Sequence, residues 1–484
     1  MGNAFRTTSA AMSAVALAGC STVYSDPINS APLAVAPSAE DDLLATSGRE
    51  RGLALSGGGI RAGYYSLGAM KALYDGGWLQ EVDILSSVSG GGYAAYWLMS
   101  AEAAEGDPNT PFGATLFSDR NFPVTVCNAA SYSDFVKSWR APLSVLFGRS
   151  VALYDRALKR SFGFEDREGT LAMADLAESV RNGTIPYWIV NVSRYDGDQS
   201  SENIFELTPL YAGTRAQGGR WDGWSVGARQ AASISGAALK YLRQSIFDPS
   251  GDGTQRVALW DGGRTENLGF YSLAVRNPDE MVVVDAEHDP NRKTGALTTV
   301  SQYLTAAGYQ IDLSAPLHTD EGQAYFATSF SAGSISRGDN GTVPAMSVNY
   351  LKMSVPQSLE PLLTNEPMLE RGAAVDAEVQ AKLDASKVRG LWDCSSLAGM
   401  EMDLDAWMIW TVSGYSDFMR NDSYTRHFQR LVPTKLKGDF PQYTTVDTSY
   451  YNDQARAFIA LGYLNAREMR GTLAQRRAEA ISAE

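Results

Sequence analysis

The chain has 484 residues and a formal net charge of −14, with 44% hydrophobic and 10% aromatic residues. This apolar content is ordinary for a globular protein, and the length suffices for one large domain with additions or for two domains. An acidic surface disfavours nucleic acid and electrostatic docking on anionic lipid headgroups. We therefore expect no nucleic-acid partner, and any association with a membrane must come from another feature.

The N-terminus has the pattern of an export signal. Residues 1–19 carry a single charge, Arg6, followed by a small apolar run, and the run leads into Leu17-Ala-Gly-Cys20. The run is too short to span a bilayer, so it predicts a secretory signal peptide. Leu17 to Cys20 also resembles the bacterial lipobox, which implies cleavage before Cys20 and lipidation of its thiol. The alternative is an ordinary cleavage site with an incidental cysteine.

The segment after the signal is predicted to be a tether. Residues 20–50 are polar, lack sustained periodicity and contain Pro27, Pro32 and Pro37. Such a composition favours an extended, flexible chain. We expect this segment to link the anchored Cys20 to the first strand of the folded part.

Two cysteines, Cys127 and Cys394, remain in the mature chain. They could pair in an oxidising compartment or stay buried and free. The sequence leaves both possibilities open, and two lone cysteines lack the spacing of a metal site.

Two segments with the same order of features follow the tether. In each, a short apolar run is followed by glycines and then by apolar residues at helical spacing. The first segment is Leu53-Ala-Leu-Ser-Gly57-Gly58-Gly59-Ile-Arg61, and the helix predicted after it carries Leu67, Met70 and Leu73 and ends near Asp75. The second segment is Ile84-Leu-Ser-Ser-Val-Ser89-Gly90-Gly91, and the helix predicted after it carries Tyr93, Trp97 and Ala101. Each segment predicts a strand, a tight turn and a helix.

Further strands are predicted at residues 186–192, 256–260 and 281–285, and a mostly helical stretch at residues 134–182. Continuously apolar strands that alternate with helices indicate a mainly parallel sheet covered on both faces, which is a three-layer α/β/α sandwich. We assign residues 51–354 to this core. Residues 355–484 have a helical and loop-rich pattern and are predicted to form an extension packed on the core.

Ser89 is the candidate nucleophile. A serine on a strand-to-helix turn projects its hydroxyl above the sheet edge, where the start of the helix favours negative charge. The usual string around such a serine is Gly-x-Ser-x-Gly, and here Ser87 replaces the first glycine, although serine is also small. The glycines of the first turn can supply backbone N–H groups to an oxyanion.

Asp261 is the candidate base. It ends the apolar strand that leads to Trp260 and precedes two glycines, so its carboxylate lies at a strand end, where the active sites of parallel sheets collect. It could instead cap the next turn. Asp285, which ends the strand Val282-Val-Val-Asp285, has a similar setting and is the second choice, with a structural role favoured.

Together these motifs resemble those of the patatin-like phospholipases and the related cytosolic phospholipases. Ser56-Gly57-Gly58-Gly59-Ile60-Arg61 matches the oxyanion loop, Ser89 the nucleophile, and Asp261-Gly262-Gly263 the motif of the second catalytic residue. Other stretches that look familial are Asn267-Leu-Gly269, Ser235-Gly-Ala-Ala238, Tyr350-Leu-Lys352, Asp439-Phe-Pro441-Gln-Tyr-Thr444 and Leu461-Gly462. The resemblance covers about residues 50–470.

The resemblance implies a patatin-like fold and a Ser–Asp dyad that needs no metal and no cofactor. Ser89 would attack an ester with Asp261 as the base, and the N–H groups of Gly58, Gly59 and Gly90 would hold the oxyanion. Arg61 would bind a substrate phosphate or brace the loop, and a structural ion pair is the alternative. In a dyad the three histidines, His288, His318 and His427, are dispensable, although the position of His288 after a strand would also suit a triad.

The function implied by this resemblance is the release of fatty acid from phospholipids or lysophospholipids. The alternatives are an esterase for neutral lipids or small esters, an acyltransferase using the same acyl-serine, and a catalytically silent lipid-binding lipoprotein of the cell envelope. The expected partners are the lipid substrate and, through Cys20, a membrane. Ser21 follows Cys20 where an inner-membrane lipoprotein of enteric bacteria would have aspartate. We therefore expect an outer-membrane lipoprotein of a Gram-negative bacterium that faces the periplasm or is exported to the surface.

Overall fold

A computed structural model of the chain describes residues 33–34, 38–106, 109–136, 158, 162, 171–195, 199–214, 221–222, 226–237, 244–247, 256–290, 293–313, 329–337, 345–388, 392–414, 440–442 and 452–483. The predicted signal peptide, Cys20 and most of the predicted tether lie outside these residues. So do His318, His427 and much of the stretch predicted to be helical at residues 134–182.

The described strands are β1 (Leu33–Ala34), β2 (Arg51–Leu55), β3 (Ile84–Val88), β4 (Tyr187–Arg194), β5 (Ile204–Leu207), β6 (Ala212–Thr214), β7 (Trp221–Asp222), β8 (Gln244–Phe247), β9 (Arg256–Asp261), β10 (Glu280–Asp285), β11 (Tyr309–Leu313), β12 (Phe330–Arg337) and β13 (Met346–Lys352).

The described α-helices are α1 (Ser38–Ser47), α2 (Ile60–Asp75), α3 (Ser89–Glu105), α4 (Ala114–Phe117), α5 (Phe122–Val136), α6 (Leu176–Arg181), α7 (Ala228–Ser235), α8 (Phe270–Ala274), α9 (Gly295–Ala306), α10 (Glu360–Leu363), α11 (Glu366–Ala385), α12 (Leu404–Ser413) and α13 (Asn452–Ala483).

One large sheet organises the molecule. Its described strands run in the order β11-β12-β13-β10-β2-β3-β4-β5-β6, and β9 pairs with β4 and β8. The central strands β13, β10, β2, β3 and β4 are parallel, and the outer pairings are antiparallel. With helices flanking the sheet, this confirms the predicted three-layer fold with a mainly parallel centre. The strands predicted around residues 186–192, 256–260 and 281–285 are β4, β9 and β10.

The two glycine-rich segments form the predicted strand, turn and helix. β2 and β3 are almost entirely buried, as their apolar sequences require of strands covered on both faces. The helix after each turn, α2 or α3, starts beside the sheet and is buried along most of its length.

The C-terminal extension packs on the core through α13. This helix lies against α2 at very close range: a Cβ atom added at Gly68 would lie 1.8 Å from the carbonyl oxygen of Ile459, and one added at Gly462 would lie 2.0 Å from that of Tyr65. Only glycine permits backbones to approach this closely. Within the described residues, no helix has both the length and the apolar character that crossing a bilayer requires.

The structure differs from the expected tether at residues 38–47, which form α1. Glu40 of this helix is 2% exposed, and its carboxylate accepts hydrogen bonds from the guanidinium of Arg276. Arg276 also pairs with the buried Glu206. Burial raises the pKa of this carboxyl, but the charge of Arg276 and the hydrogen bonds from Arg276, Ser272 and Tyr211 together outweigh burial and lower the pKa to about 2. Leu43 and Leu44 of α1 are buried as well. A charged residue with a buried partner and two leucines therefore dock this segment, although they lack a periodic pattern.

A disulfide joins Cys127 of α5 to Cys394; the two are 267 positions apart in sequence, and their Cα atoms are 5.6 Å apart. Cys394 begins a short 3₁₀ helix that ends at Leu397. The choice that the sequence left open, paired or free, is resolved in favour of pairing. The bond ties the extension to the core at a second place besides α13.

Candidate active site

The candidate site is formed where β3 and β9 meet beside β4. β3 pairs with β4 up to Val88, which lies opposite Asn191. Beyond that point β9 takes the same edge of β4 from the opposite direction, and its last residue, Asp261, lies opposite Val192. Ser89 is the first residue after β3. Two strands that end head-on at one edge therefore bring Ser89 and Asp261 together from positions 172 residues apart.

The structure places the two predicted catalytic side chains in contact. The Ser89 hydroxyl donates a hydrogen bond of 2.9 Å to Oδ2 of Asp261. The other carboxylate oxygen, Oδ1, accepts from the backbone N–H of Gly263 at 2.8 Å, so the carboxylate is held from both sides. Ser89 is 4% exposed and Asp261 7%. This geometry suits transfer of the serine proton to the carboxylate.

Burial raises the pKa of Asp261 to about 6. The hydrogen bonds from Ser89 and Gly263 and the positive charge of Arg264 act in the opposite direction and favour the carboxylate. The result is a group that is ionised at neutral pH and yet more basic than an exposed aspartate. Such a pKa is appropriate for a general base, which must be deprotonated but able to accept a proton.

Ser89 has an unusual backbone conformation, with φ of 46°. Positive φ is uncommon for residues other than glycine and marks a tight turn. A similar strained turn presents the nucleophilic serine in hydrolases with a strand-turn-helix arrangement. The turn of Ser89 thus has the form that its sequence predicts, despite the replacement of glycine by Ser87.

Ser87 fits because its hydroxyl has its own partners. It is fully buried, its Oγ accepts a hydrogen bond of 2.9 Å from the indole of Trp188, and it points toward β4. A Cβ atom added at Gly92 would still lie 3.7 Å from this oxygen, so the helix that follows is not crowded. The departure from the usual string thus satisfies a buried indole and leaves the turn intact.

The glycines predicted to bind the oxyanion lie close together beside Ser89. A Cβ atom added at Gly90 would lie 1.8 Å from the carbonyl oxygen of Gly59, so the two glycine-rich turns touch. Gly58 has φ of 142°, and a Cβ atom there would lie 2.3 Å from the carbonyl oxygen of Ala286. No described residue accepts a hydrogen bond from the N–H groups of Gly58, Gly59 or Gly90. Their role as oxyanion donors stays a prediction that this arrangement favours.

Arg61 lies in the first turn of α2 and is 0% exposed. Its Nη2 donates a hydrogen bond of 3.1 Å to the carbonyl oxygen of Ala286, the same oxygen that faces Gly58. The Ala286 N–H in turn donates to the hydroxyl of Ser56 at 2.7 Å. Arg61 and Ser56 therefore fasten the glycine loop to the end of β10.

Asp285, the second choice for the base, has a structural environment. It is 0% exposed and accepts hydrogen bonds of 2.7 Å from the hydroxyl of Tyr350 and from Nζ of Lys352. Lys352 also pairs with Glu287 and Asp289. These carboxylates raise the pKa of Lys352, so it stays charged in spite of its burial. Asp285 thus belongs to an ion cluster at the strand end beside the site.

In the described part of the chain, the hydroxyl of Ser89 bonds to a carboxylate and not to an imidazole. His288 follows β10 and is exposed, which differs from the buried setting of the dyad. No three His, Cys, Asp or Glu side chains of the described residues come together in a way that could hold a metal ion.

Sequence reasoning missed the polar residues behind the nucleophile. The N–H of Ser89 donates a hydrogen bond of 2.8 Å to Oγ of Ser235, and this hydroxyl donates one of 2.6 Å to the carbonyl oxygen of Asn191. One signal was available. Asn191 is an amide within an otherwise apolar strand, and a buried amide requires partners.

The comparison with family models agrees with this geometry. Residues 53–274 match the model of a family described as patatin-like phospholipase. These residues form a patatin-like phospholipase domain. The domain contains Ser89, Asp261 and both glycine-rich turns, so the resemblance inferred from the motifs is confirmed.

A solved structure shares the fold of this chain. Human GIVD cytosolic phospholipase A2 aligns with a TM-score of 0.51 and 12% identity, over 90% of this chain and 63% of that one. The same human protein in complex with methyl gamma-linolenyl fluorophosphonate aligns with a TM-score of 0.49 and 14% identity, over 90% and 59%. This chain thus spans less than two thirds of the human protein. No curated protein matches it.

The pKa of Asp261 predicts how reactivity depends on pH. Above about 6 the carboxylate is ionised and can accept the serine proton, and below it the protonated form loses this ability. We expect the rate of Ser89 labelling by a fluorophosphonate to fall about tenfold per pH unit below pH 6. The pKa of the buried Glu266 is also raised, to about 7. The Glu266→Gln variant is therefore the control. If the fall in labelling rate below pH 6 disappeared in this variant, the titrating group would be Glu266 and not Asp261.

Replacing Gly58 by alanine should disable the glycine loop. The new Cβ atom would meet the carbonyl oxygen of Ala286 at 2.3 Å, in a backbone conformation that alanine rarely adopts. Displacing one oxyanion donor typically lowers the rate about 100- to 1000-fold, and we expect a loss of this size in kcat. Gly77→Ala is the matched control because Gly77 also has positive φ but has nothing within 4 Å. Equal losses in the two variants would contradict a specific role of the loop.

Proposed function

We propose that this protein is a serine acyl hydrolase that releases fatty acid from phospholipids or lysophospholipids through a Ser89–Asp261 dyad. The observation that carries the proposal is the 2.9 Å hydrogen bond from the buried Ser89 hydroxyl to the buried Asp261 carboxylate. The patatin-like phospholipase match over residues 53–274 supports a lipid ester as the substrate.

The reaction has two halves. Ser89 Oγ attacks the ester carbonyl while Asp261 accepts its proton, and the carbonyl oxygen becomes an oxyanion facing the N–H groups of the glycine turns. Collapse of this intermediate breaks the ester bond, and the leaving alcohol takes the proton from Asp261. A water molecule then attacks the acyl-serine with Asp261 again as base. The fatty acid leaves and the Ser89 hydroxyl is restored.

For Arg61 we propose the bracing role. Its complete burial and its hydrogen bond to Ala286 favour support of the glycine loop. The guanidinium is also suited to phosphate, and binding of a substrate phosphate by Arg61 stays a prediction from the family resemblance.

Activity should depend on the dyad and not on histidine. Ser89→Ala and Asp261→Asn should each lower fatty-acid release from phospholipid and lysophospholipid vesicles at least about 1000-fold, as losses of a catalytic pair do. A variant with His288, His318 and His427 all changed to alanine should retain activity within about threefold. If His288→Ala lost as much activity as Ser89→Ala while folding normally, the dyad would be wrong. Activity of the wild type on neutral esters alone would refute the phospholipid substrate.

We further propose that the protein is a lipoprotein of the bacterial outer membrane, anchored through Cys20 and facing the periplasm or the outside. The pattern of residues 1–20 supports export, and the disulfide between Cys127 and Cys394 supports an oxidising compartment. The anchor would bring an acidic enzyme to a lipid surface that its net charge of −14 does not favour.

Changing Cys20 to serine should release the protein from the membrane. Without the thiol no lipid can be attached, so the variant should move from the membrane fraction to the soluble fraction of the envelope. Its activity on lysophospholipid in solution should stay unchanged. Fractionation with immunoblotting measures the first effect, and Ser25→Ala, a change in the same segment that leaves Cys20 in place, is the control. Membrane retention of the Cys20→Ser variant would contradict lipid anchoring.

A further inference from the structure

The nucleophile is held in a conformation that needs support. The φ of 46° at Ser89 lies in a region that a residue with a side chain enters at a cost in free energy. Such conformations persist only where the surroundings over-determine them. The support must act on the backbone of Ser89, because its hydroxyl is committed to Asp261.

The backbone contact comes from α7. Ser235, the last residue of this helix, is 0% exposed, and its Oγ accepts the hydrogen bond of 2.8 Å from the Ser89 N–H. The proton of the same hydroxyl is donated to the carbonyl oxygen of Asn191 at 2.6 Å. Since a serine hydroxyl has a single proton, this second bond fixes its lone pairs toward Ser89.

Asn191 connects this contact to both halves of the dyad. Its Nδ2 donates to Oγ of Ser86 at 2.9 Å and to the carbonyl oxygen of Ser87 at 3.1 Å, so its side chain holds the end of β3. Its Oδ1 accepts from the hydroxyl of Ser272 at 2.6 Å. A Cβ atom added at Gly262 would lie 2.3 Å from the Asn191 carbonyl oxygen, so the residue after Asp261 packs on the same group.

We propose that Ser235 and Asn191 are positioning residues, which hold the backbone of Ser89 at the angle that directs its hydroxyl to Asp261. This inference rests on the proposed dyad mechanism. Without the Ser235 hydroxyl, the Ser89 N–H and the Asn191 carbonyl oxygen both lose a buried partner, and the turn can relax. A displacement of about 1 Å between reacting groups can lower a rate about 100-fold.

The test compares two serines of one helix. Ser233 lies two residues before Ser235 in α7 and is 1% exposed. Among the described residues, the one hydrogen bond of its hydroxyl is a long one of 3.4 Å that it accepts from Gln244. Ser235→Ala should lower kcat about 30- to 100-fold with KM within about threefold, and should slow fluorophosphonate labelling by the same factor. Ser233→Ala should change neither by more than about twofold. Ser235→Thr, which restores a hydroxyl, should recover most of the rate.

A second readout separates positioning from general destabilisation. The hydrogen bond from Ser89 lowers the pKa of Asp261 from the value that burial alone would impose. Misalignment of Ser89 should therefore move the acidic limb of the kcat profile to higher pH in Ser235→Ala and leave it in place in Ser233→Ala. If Ser235→Ala does not fold, Ser235→Cys gives the same comparison, because a thiol has similar size but bonds weakly.

The outcomes that overturn the inference are distinct from failure of the proposed function. Unchanged kcat in Ser235→Ala, equal losses in Ser233→Ala, or a change in KM alone would each refute positioning by Ser235. If the wild type neither releases fatty acid nor reacts with the fluorophosphonate, the hydrolase mechanism itself is wrong.

Discussion

The site depends on the pairing of two strands, β3 and β9, with the same edge of β4. β3 occupies this edge up to Asn191, and β9 occupies it from Val192 onward in the opposite direction. The end of β3 and the end of β9 therefore face each other, opposite adjacent residues of β4. Ser89 follows one of these strand ends and Asp261 is the last residue of the other, so the pairing of the strands on β4 brings their side chains into contact.

Burial at this junction sets the chemistry. An aspartate carboxylate exposed to water is a weak base, and burial raises the pKa of Asp261 to about 6, so its carboxylate accepts a proton more readily. The same lack of water favours partners within the protein for the polar groups behind Ser89, which explains the hydroxyl and amide groups of Ser235 and Asn191. On the other side of the glycine loop, Arg61 donates to the carbonyl oxygen of Ala286, and Lys352 pairs with Asp285. These bonded groups leave the N–H groups of Gly58, Gly59 and Gly90 as the donors without an acceptor among the described residues.

The sequence predicted the parts of this structure that depend on local patterns. Apolar runs followed by glycines located β2, β3 and their helices, and the strand before Asp261 located the base. Three features needed long-range information. α1 docks because Glu40 meets Arg276, a residue 236 positions away, and no periodicity records that contact. Ser235 acts through its position at the end of a helix that packs beside β4. The pairing of Cys127 with Cys394 likewise depends on the approach of the extension to α5.

This disulfide also determines whether proteolytic cleavage of the chain separates its two pieces. The covalent ring closed by Cys127 and Cys394 encloses Asp261 but not Ser89. A single proteolytic cut anywhere inside the ring would leave one molecule with two linked pieces, which separate on a gel only after reduction. The half that carries the nucleophile and the half that carries the extension would stay joined through the bridge, in addition to the packing of α2 on α13. A nicked protein would therefore keep its pieces covalently joined until the bridge is reduced.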